Sequence, residues 1–170
     1  GMEAVKLGLL AALAGGVPKR VGSAGAVLRG DIHVLMVGEP GLGKSQLLRA
    51  VCRVAPRAVY VSGNVSTGTG LTATVQRERR DGAYGLEPGA LVVGDRGLCC
   101  IDEIDKMGSE QLALLEGMEQ QRVSVAKAGV VASLPARTTI VAAANPKGGH
   151  YDRSKSVSEN VKVGLPLLSR

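Results

Sequence analysis

The feature that most constrains the fold is the glycine-rich segment at residues 38–45, which reads Gly-Glu-Pro-Gly-Leu-Gly-Lys-Ser. It follows an apolar, β-prone run at residues 32–37 and precedes a run of helical character at residues 46–54. Between a strand and a helix, the pattern GxxxxGKS forms a loop whose backbone N–H groups and helix N-terminus bind phosphate. We therefore predict that Lys44 contacts the β- and γ-phosphates of a nucleotide and that Ser45 holds Mg²⁺. The alternative is an ordinary glycine-rich turn.

Length, composition and charge limit the size of the fold and the classes of partner. A chain of 170 residues can form one domain with a buried core, which Val, Leu, Ile and Ala must build because Phe and Trp are absent. The net charge of +6 favours a polyanionic partner: nucleotide, nucleic acid or acidic protein. No apolar run has the length of a membrane span. Cys52, Cys99 and Cys100 lack zinc-site spacing and are predicted to be buried, reduced thiols.

Strand-like and helix-like runs alternate along the chain. This alternation after a phosphate-binding loop predicts a parallel α/β sheet with helices on both faces. The predicted strands are residues 32–37, 58–62, 98–101 and 138–144. The predicted helices are a mostly buried one at residues 3–14 and others at residues 45–54 and 108–119. The predicted irregular segments are a glycine-bearing connector at residues 19–31 and a long loop at residues 147–164.

Two segments predict β-hairpins inserted into this frame. Residues 71–93 have ordered flanks around a charged Asp-Gly tip, although Leu71–Val75 also fits the extension of a helix. The arginines near that tip fit a solvated loop equally well; they are Arg77, Arg79 and Arg80. Residues 122–134 alternate, with Val123 and Val125 on one side and a turn at residues 127–129.

Further residues complete an ATP-hydrolysing site. Asp102 and Glu103 follow an apolar strand, where Asp102 would hold Mg²⁺ and Glu103 would polarise the attacking water. Asn145 follows the strand at residues 138–144, so the carboxyl edge of a parallel sheet would bring it to the γ-phosphate. The alternative for Asn145-Pro146 is a simple turn. The predicted ATP contacts in the loop are Gly38, Glu39, Pro40, Gly41, Leu42, Gly43, Lys44, Ser45 and Gln46.

Over nearly its whole length the chain resembles the AAA+ ATPase module of the minichromosome maintenance (MCM) helicases. The matching segments are residues 1–6, 29–32, 38–46, 86–87, 89–92, 101–107, 118–121, 124–129, 136–139, 143–146 and 167–170. Residues 147–151 and 156–160 resemble the eighth, homologous-recombination member of the family. Gly43 agrees with this, because many other members have Ala before the loop lysine.

The resemblance implies an AAA+ core over residues 1–170, with residues 71–93 as the helix-2 insert and residues 122–134 as the pre-sensor-1 hairpin. It also implies that the chain stops after the arginine-finger motif, so that the C-terminal lid is absent. Arg170 matches the arginine finger, which acts in trans on ATP bound by the neighbouring subunit. Arg29 and Gln120 match positions of the same trans face, although both residue types are ordinary at a protein surface.

The resemblance further implies a DNA motor. Lys127 matches the tip of a channel hairpin that contacts phosphates of single-stranded or duplex DNA without sequence preference. The expected partners are other MCM-family subunits in a ring, with hexamers expected, and the expected location is the nucleus, in DNA replication or recombination repair. We expect the 170 residues alone to bind ATP weakly, with little turnover.

Two alternative functions fit the same sequence. A metal-chelatase motor subunit shares the two-hairpin plan, although residues 118–121 and 126–129 match the MCM pattern. A non-enzymatic subunit would use ATP as structural support in a loading or recombination scaffold. Every residue type needed for hydrolysis is present, which favours the motor over the scaffold.

Overall fold

The structure, a computed structural model, describes residues 2–21, 26–64, 68–77, 84–127 and 129–169. The strands are β1 (Lys19–Val21), β2 (Ala26–Leu28), β3 (Val34–Val37), β4 (Ala58–Ser62), β5 (Ala73–Arg77), β6 (Tyr84–Pro88), β7 (Leu98–Asp102), β8 (Arg122–Lys127), β9 (Val130–Pro135) and β10 (Thr139–Ala144). The helices are α1 (Glu3–Ala14), α2 (Lys44–Val54), α3 (Gly68–Leu71), α4 (Ala90–Val93), α5 (Glu110–Gln120), α6 (Val157–Asn160) and α7 (Leu165–Leu168). Within these ranges, no helix combines the length and the apolar character needed to cross a bilayer.

A parallel four-stranded sheet forms the centre of the domain, which confirms the predicted fold class. Its strand order is β3-β10-β7-β4. β4, which follows α2 in the chain, therefore lies at the opposite edge of the sheet from β3. All neighbouring strands are parallel, with Ala144 beside Val37 and Ser62 beside Asp102. The carboxyl ends of all four strands therefore meet at one edge, where parallel sheets place their ligands.

The sheet is covered on both faces. On the central strand β10, Ile140, Ala142 and Ala144 pack into one apolar cluster, and Val141 and Ala143 pack into the other. This alternation follows from the two-residue period of a strand. One cluster includes side chains of α5 and of both inserted hairpins, whereas the other includes side chains of α1 and α2. As expected from composition, the two clusters consist of aliphatic side chains, Met and Cys.

The thiols follow the same two-sided pattern. Cys99 and Cys100 are neighbours on β7 and face opposite sides of the sheet, both fully buried. Burial raises the pKa of Cys99 to about 12, so this thiol stays protonated at neutral pH. Cys52 on α2 packs against the Cys100 side of the sheet and is only half-buried. The prediction of buried thiols therefore applies to Cys99 and Cys100, and less to Cys52.

Both predicted hairpins are present. β5 pairs with β6 in antiparallel register, although the tip at residues 78–83, with Arg79 and Arg80, lies outside the described residues. β8 pairs with β9, and Val123 and Val125 are buried on one side as predicted. A helix extending over residues 71–75 is wrong, because strand β5 begins at Ala73 and pairs there with Pro88.

Three other segments differ from the predictions. α1 has the predicted bounds but is not mostly buried, because only one side faces the sheet and Leu7 and Leu10 remain 69% and 61% exposed. The connector at residues 19–31 contains the antiparallel pair β1–β2. The loop at residues 147–164 contains α6, which begins with a capping box between Ser156 and Glu159.

Candidate nucleotide-binding site

The phosphate-binding loop lies at the carboxyl edge of the sheet, between β3 and α2. Gly41 and Gly43 have φ angles of +84° and +77°, a backbone region in which glycine alone is unstrained. The Gly38 N–H donates to Ala144 O at 3.3 Å, which joins the loop to the end of β10. α2 begins at Lys44, so the first free N–H groups of this helix lie in the loop. The backbone therefore has the form required to bind phosphate.

Lys44 connects the loop to the predicted γ-phosphate sensor. Its Nζ donates to Gly38 O at 2.7 Å, to Glu39 O at 2.8 Å and to Asn145 Oδ1 at 3.0 Å. An ammonium has three donors, so these contacts use all of them. Burial lowers the pKa of Lys44, while the carboxylates of Asp102 and Asp105 act in the opposite direction. The bond to Asn145 brings together two residues that are 101 positions apart.

The acidic pair lies at the end of the neighbouring strand. Asp102 Oδ2 accepts from the Tyr60 hydroxyl at 2.7 Å, and Asp102 Oδ1 accepts from the Glu103 N–H at 3.0 Å. Glu103 has φ +53°, a left-handed conformation that is costly for a residue with a side chain. Its Oε1 forms an ion pair with Lys106 Nζ at 2.8 Å. Residues held in this backbone region cluster at functional sites.

The predicted magnesium ligands lie at the same edge. Asp102 ends β7, and Ser45 is the second residue of α2. Among the described residues, no group of three or more His, Cys, Asp or Glu side chains forms a metal site. Mg²⁺ is commonly held by one or two protein oxygens together with substrate phosphates and water. Ser45 and Asp102 fit that kind of site.

Several residues of the site were not predicted. Tyr60 holds Asp102, and Asp105 Oδ1 accepts from the Asn145 N–H at 2.9 Å. His150 Nδ1 lies 3.0 Å from Glu39 Oε1, and this contact lowers the pKa of the Glu39 carboxyl. The contact between Tyr60 and Asp102 follows from the pairing of β4 with β7. Ser62 is the register partner of Asp102, and Tyr60 lies two residues before Ser62 on β4. No strand pairing links His150 to Glu39, which lies 111 positions earlier in the chain.

An apolar cavity of about 400 Å³ adjoins the phosphate-binding loop. Its walls come from the first half of α1, from β3 and from Leu42, Lys44 and Leu47. Flat aromatic ligands are commonly held in such apolar clefts beside a few polar groups. The sequence prediction included no site for the nucleotide base. Met2, just before α1, and Val5 line this cavity, and neither was predicted to be a site residue.

The residues predicted to act in trans lie elsewhere. Arg29 precedes β3, so it lies at the amino edge of the sheet, opposite the loop. Its Nη1 donates to Glu119 O at 2.9 Å, which places Arg29 near the end of α5 and thus near Gln120. Arg170 lies outside the described residues. Lys127 is the last residue of β8 and is exposed, and Arg77 ends β5.

The Tyr60 hydroxyl should affect metal binding. Tyr60→Phe removes the hydrogen bond that orients the Asp102 carboxylate. Loss of such a partner typically weakens metal affinity or activity by about 10- to 100-fold. We expect the Mg²⁺ concentration needed for half-maximal ATP hydrolysis by the full-length protein to rise by about tenfold. Tyr84→Phe, at an exposed tyrosine on β6, is the matched control. An unchanged Mg²⁺ dependence in Tyr60→Phe would exclude this role.

The chain was compared with known proteins. The family model described as the MCM P-loop domain matches residues 1–170. The chain is 63% identical to the DNA helicase MCM8 of Gallus gallus, 61% to that of Xenopus laevis and 60% to that of Homo sapiens. Each match covers 100% of the present chain. It spans about a fifth of the length of these curated relatives, from 20% to 21%. These matches confirm the resemblance to the MCM family and to its eighth member.

Proposed function

Because the chain belongs to the MCM family of P-loop domains, we propose that it is the ATP-hydrolysing core of a DNA helicase subunit. The observation that carries this proposal is the convergence of Lys44, Asn145 and Asp102 at one edge of the sheet. Lys44 bonds directly to Asn145, and its pKa responds to Asp102. The family match favours a DNA motor over the metal-chelatase motor that the sequence left open.

In the proposed reaction, each side chain has one task. Lys44 exchanges one of its present acceptors for a phosphate oxygen and neutralises charge on the nucleotide. Glu103 leaves Lys106 and polarises the water that attacks the γ-phosphoryl group. Asn145 orients that water or the γ-phosphate, held in place by Asp105. Ser45 and Asp102 would hold Mg²⁺, which stabilises the charge that develops on the phosphates.

We propose that the site is completed by a neighbouring subunit. Arg170 is the proposed arginine finger, because a guanidinium stabilises charge on a transferring phosphoryl group. Arg29 and Gln120 are proposed to lie on the same trans face. Their position at the opposite sheet edge from Lys44 supports a role outside the subunit's own site. A finger that acts in trans requires an adjacent subunit, and we propose that the subunits are MCM-family members in a hexameric ring.

DNA is the proposed partner, and the nucleus is the proposed location. The two hairpins are neighbours, since β5 contacts β8. A net charge of +6 and an exposed lysine at the end of β8 support contact with a phosphate backbone. The relatives are named DNA helicase, which supports DNA as the partner. DNA replication or recombination repair is the proposed process.

The proposal is tested by ATP hydrolysis with and without DNA. Full-length protein, alone and with candidate partner subunits, is assayed with increasing concentrations of oligothymidylate. We expect DNA to raise the hydrolysis rate, because a motor couples turnover to its track. A rate that is independent of DNA in every assembly would contradict the proposal. The same assay without Mg²⁺ shows whether turnover depends on the metal.

A substitution at Lys127 tests the proposed contact between the β8–β9 hairpin and the phosphates of DNA. Lys127→Ala in the full-length protein should preserve ATP binding and weaken DNA binding. For single-stranded DNA, each phosphate contact contributes about −0.7 to the slope of log K against the logarithm of the salt concentration. Loss of the Lys127 contact should therefore make this slope shallower by about 0.7. Binding is measured by fluorescence anisotropy over a range of salt concentrations, and Lys162→Ala, at an exposed lysine outside the hairpins, is the control. An unchanged slope would remove Lys127 from the DNA path.

A further inference from the structure

The segment that leads to Arg170 packs against α5. It ends in α7, a single helical turn that stops two residues before Arg170. α5 contacts α7, and Leu167 and Leu168 pack against the apolar cluster that includes side chains of α5. The N–H groups of Leu167 and Leu168 donate to the carbonyl oxygen of Gly164. The position of Gly164 therefore sets where α7 begins.

Gln111, in the first turn of α5, joins this segment to a second part of the chain. Its Oε1 accepts from the Gly164 N–H at 3.0 Å, and its Nε2 donates to Lys162 O at 3.2 Å. The same nitrogen donates to Met107 O at 3.0 Å and, at the longer distance of 3.4 Å, to Ile104 O. A glutamine amide has two N–H groups, so the bonds to Met107 and Lys162 are the main ones. One side chain therefore holds two separate segments together.

The second of these segments directly follows the proposed catalytic base. After Glu103 comes a turn of 3₁₀ helix at Ile104–Lys106. The aspartate of this turn accepts from the Asn145 N–H, and its lysine forms the ion pair with Glu103. The turn that Gln111 holds is therefore attached to two residues of the proposed ATP site.

The contacts of Gln111 differ from those of an ordinary helix cap. A capping side chain accepts a hydrogen bond from a backbone N–H group of its own helix. The Gln111 amide instead donates to carbonyl oxygens that lie outside α5. Its oxygen bonds to Gly164, which lies 53 positions further along the chain. Both ends of the amide therefore position the backbone of other segments.

We propose that Gln111 is a positioning residue for the arginine finger, an inference that rests on the proposed function of Arg170. By holding Gly164 against the turn after Glu103, Gln111 sets where α7 presents Arg170 to the neighbouring subunit. Gln111 acts through the backbone of residues 162–164 and not by contact with the nucleotide. Since a displacement of about 1 Å in a reacting arrangement costs about 100-fold in rate, two hydrogen bonds that position a finger have a large effect.

The decisive test assigns the effect of Gln111 to one side of a subunit interface. In full-length protein, Arg170→Ala subunits supply an intact loop, and Lys44→Ala subunits supply the finger. Gln111→Met, which is similar in volume but lacks the amide, is added to one of the two at a time. In the Lys44→Ala subunit it should lower hydrolysis by the mixed complex by about 10- to 100-fold. In the Arg170→Ala subunit it should leave the rate unchanged, because that subunit has no finger to position.

Amide hydrogen exchange in the full-length protein tests the same positioning without hydrolysis. Loss of the bond from the Gly164 N–H in Gln111→Met should raise exchange rates at Gly164 and in α7 by about tenfold. Gln111→Glu keeps an acceptor for this N–H but loses both donors, so it should give intermediate rates. Leu112→Met, at the next residue of α5, is the matched control, because this side chain is 70% exposed. Retained ATP binding shows that each variant is folded.

The outcomes separate this inference from the proposed function. An equal loss of hydrolysis with Gln111→Met in either subunit would show a general structural role, and the inference would be wrong. Unchanged hydrolysis with Gln111→Met in the Lys44→Ala subunit, or unchanged exchange in α7, would also overturn it. Absence of hydrolysis in the parent mixture of Arg170→Ala and Lys44→Ala would instead contradict a trans role between copies of this chain. The exchange rates would then decide whether Gln111 holds α7.

Discussion

Replacement of Glu103 by Gln should lower the rate of ATP hydrolysis by about 10²- to 10⁴-fold while ATP still binds. Gln keeps the shape of the side chain but cannot accept the proton of the attacking water. The Lys44 contacts with the loop and Asn145 do not involve Glu103, so binding is preserved. Steady-state hydrolysis and equilibrium binding of a fluorescent ATP analogue to full-length protein measure the two effects separately.

The control for this variant is Glu116→Gln, at a half-buried glutamate on α5 away from the carboxyl edge. It should hydrolyse ATP at the wild-type rate. Full activity of Glu103→Gln in the assembled complex would support the scaffold interpretation, in which ATP has a structural role alone. A loss of ATP binding in Glu103→Gln would show that the ion pair with Lys106 holds the site together, rather than catalysis by Glu103.

Arg170→Ala should lower the hydrolysis rate of the assembled complex by about 10³-fold or more, because an arginine finger contributes that much to phosphoryl transfer. The trans position predicts a further result. When Arg170→Ala subunits are mixed with Lys44→Ala subunits, some interfaces combine an intact loop with an intact arginine. Hydrolysis should return at those interfaces, although each variant alone is inactive.

The mixing experiment has a matched control in Arg153→Ala, at an exposed arginine that should leave hydrolysis unchanged. Hydrolysis that stays absent in mixed rings of this chain would contradict a trans role between its copies. Activity of Arg170→Ala alone at the wild-type rate would contradict the arginine-finger assignment itself. The oligomeric state of each mixture is measured in parallel, so that a failure of assembly is recognised.

The sequence predicted the residues that a short motif specifies. Lys44 and Ser45 come from one loop, and Asp102 and Asn145 come from the ends of two strands. Their convergence followed from the rule that parallel strands share a carboxyl edge. The strained backbone of Glu103 and the bond between Lys44 and Asn145 could be seen only in three dimensions.

Other features depend on tertiary contacts that no local pattern encodes. His150 reaches Glu39 because the segment after β10 folds back over the loop. That segment was predicted to be a loop, yet the buried Asn160 organises it by donating to the backbone oxygens of Asp152, Lys155 and Ser156. α1 was predicted to be mostly buried, although the sheet covers one side alone and Leu9 and Ala12 are its buried residues. The pattern of apolar residues therefore predicted where helices and strands lie in the sequence better than it predicted which elements pack against each other.

We propose that ATP turnover at this site moves DNA. The most direct test is strand separation of a forked duplex by the full-length protein in its assembled complex, with wild-type and Glu103→Gln subunits compared in Mg-ATP. We predict separation by the wild-type complex and none by the Glu103→Gln complex, although both bind ATP and DNA. Equal separation by the two complexes would show that strand separation does not depend on ATP turnover at this site.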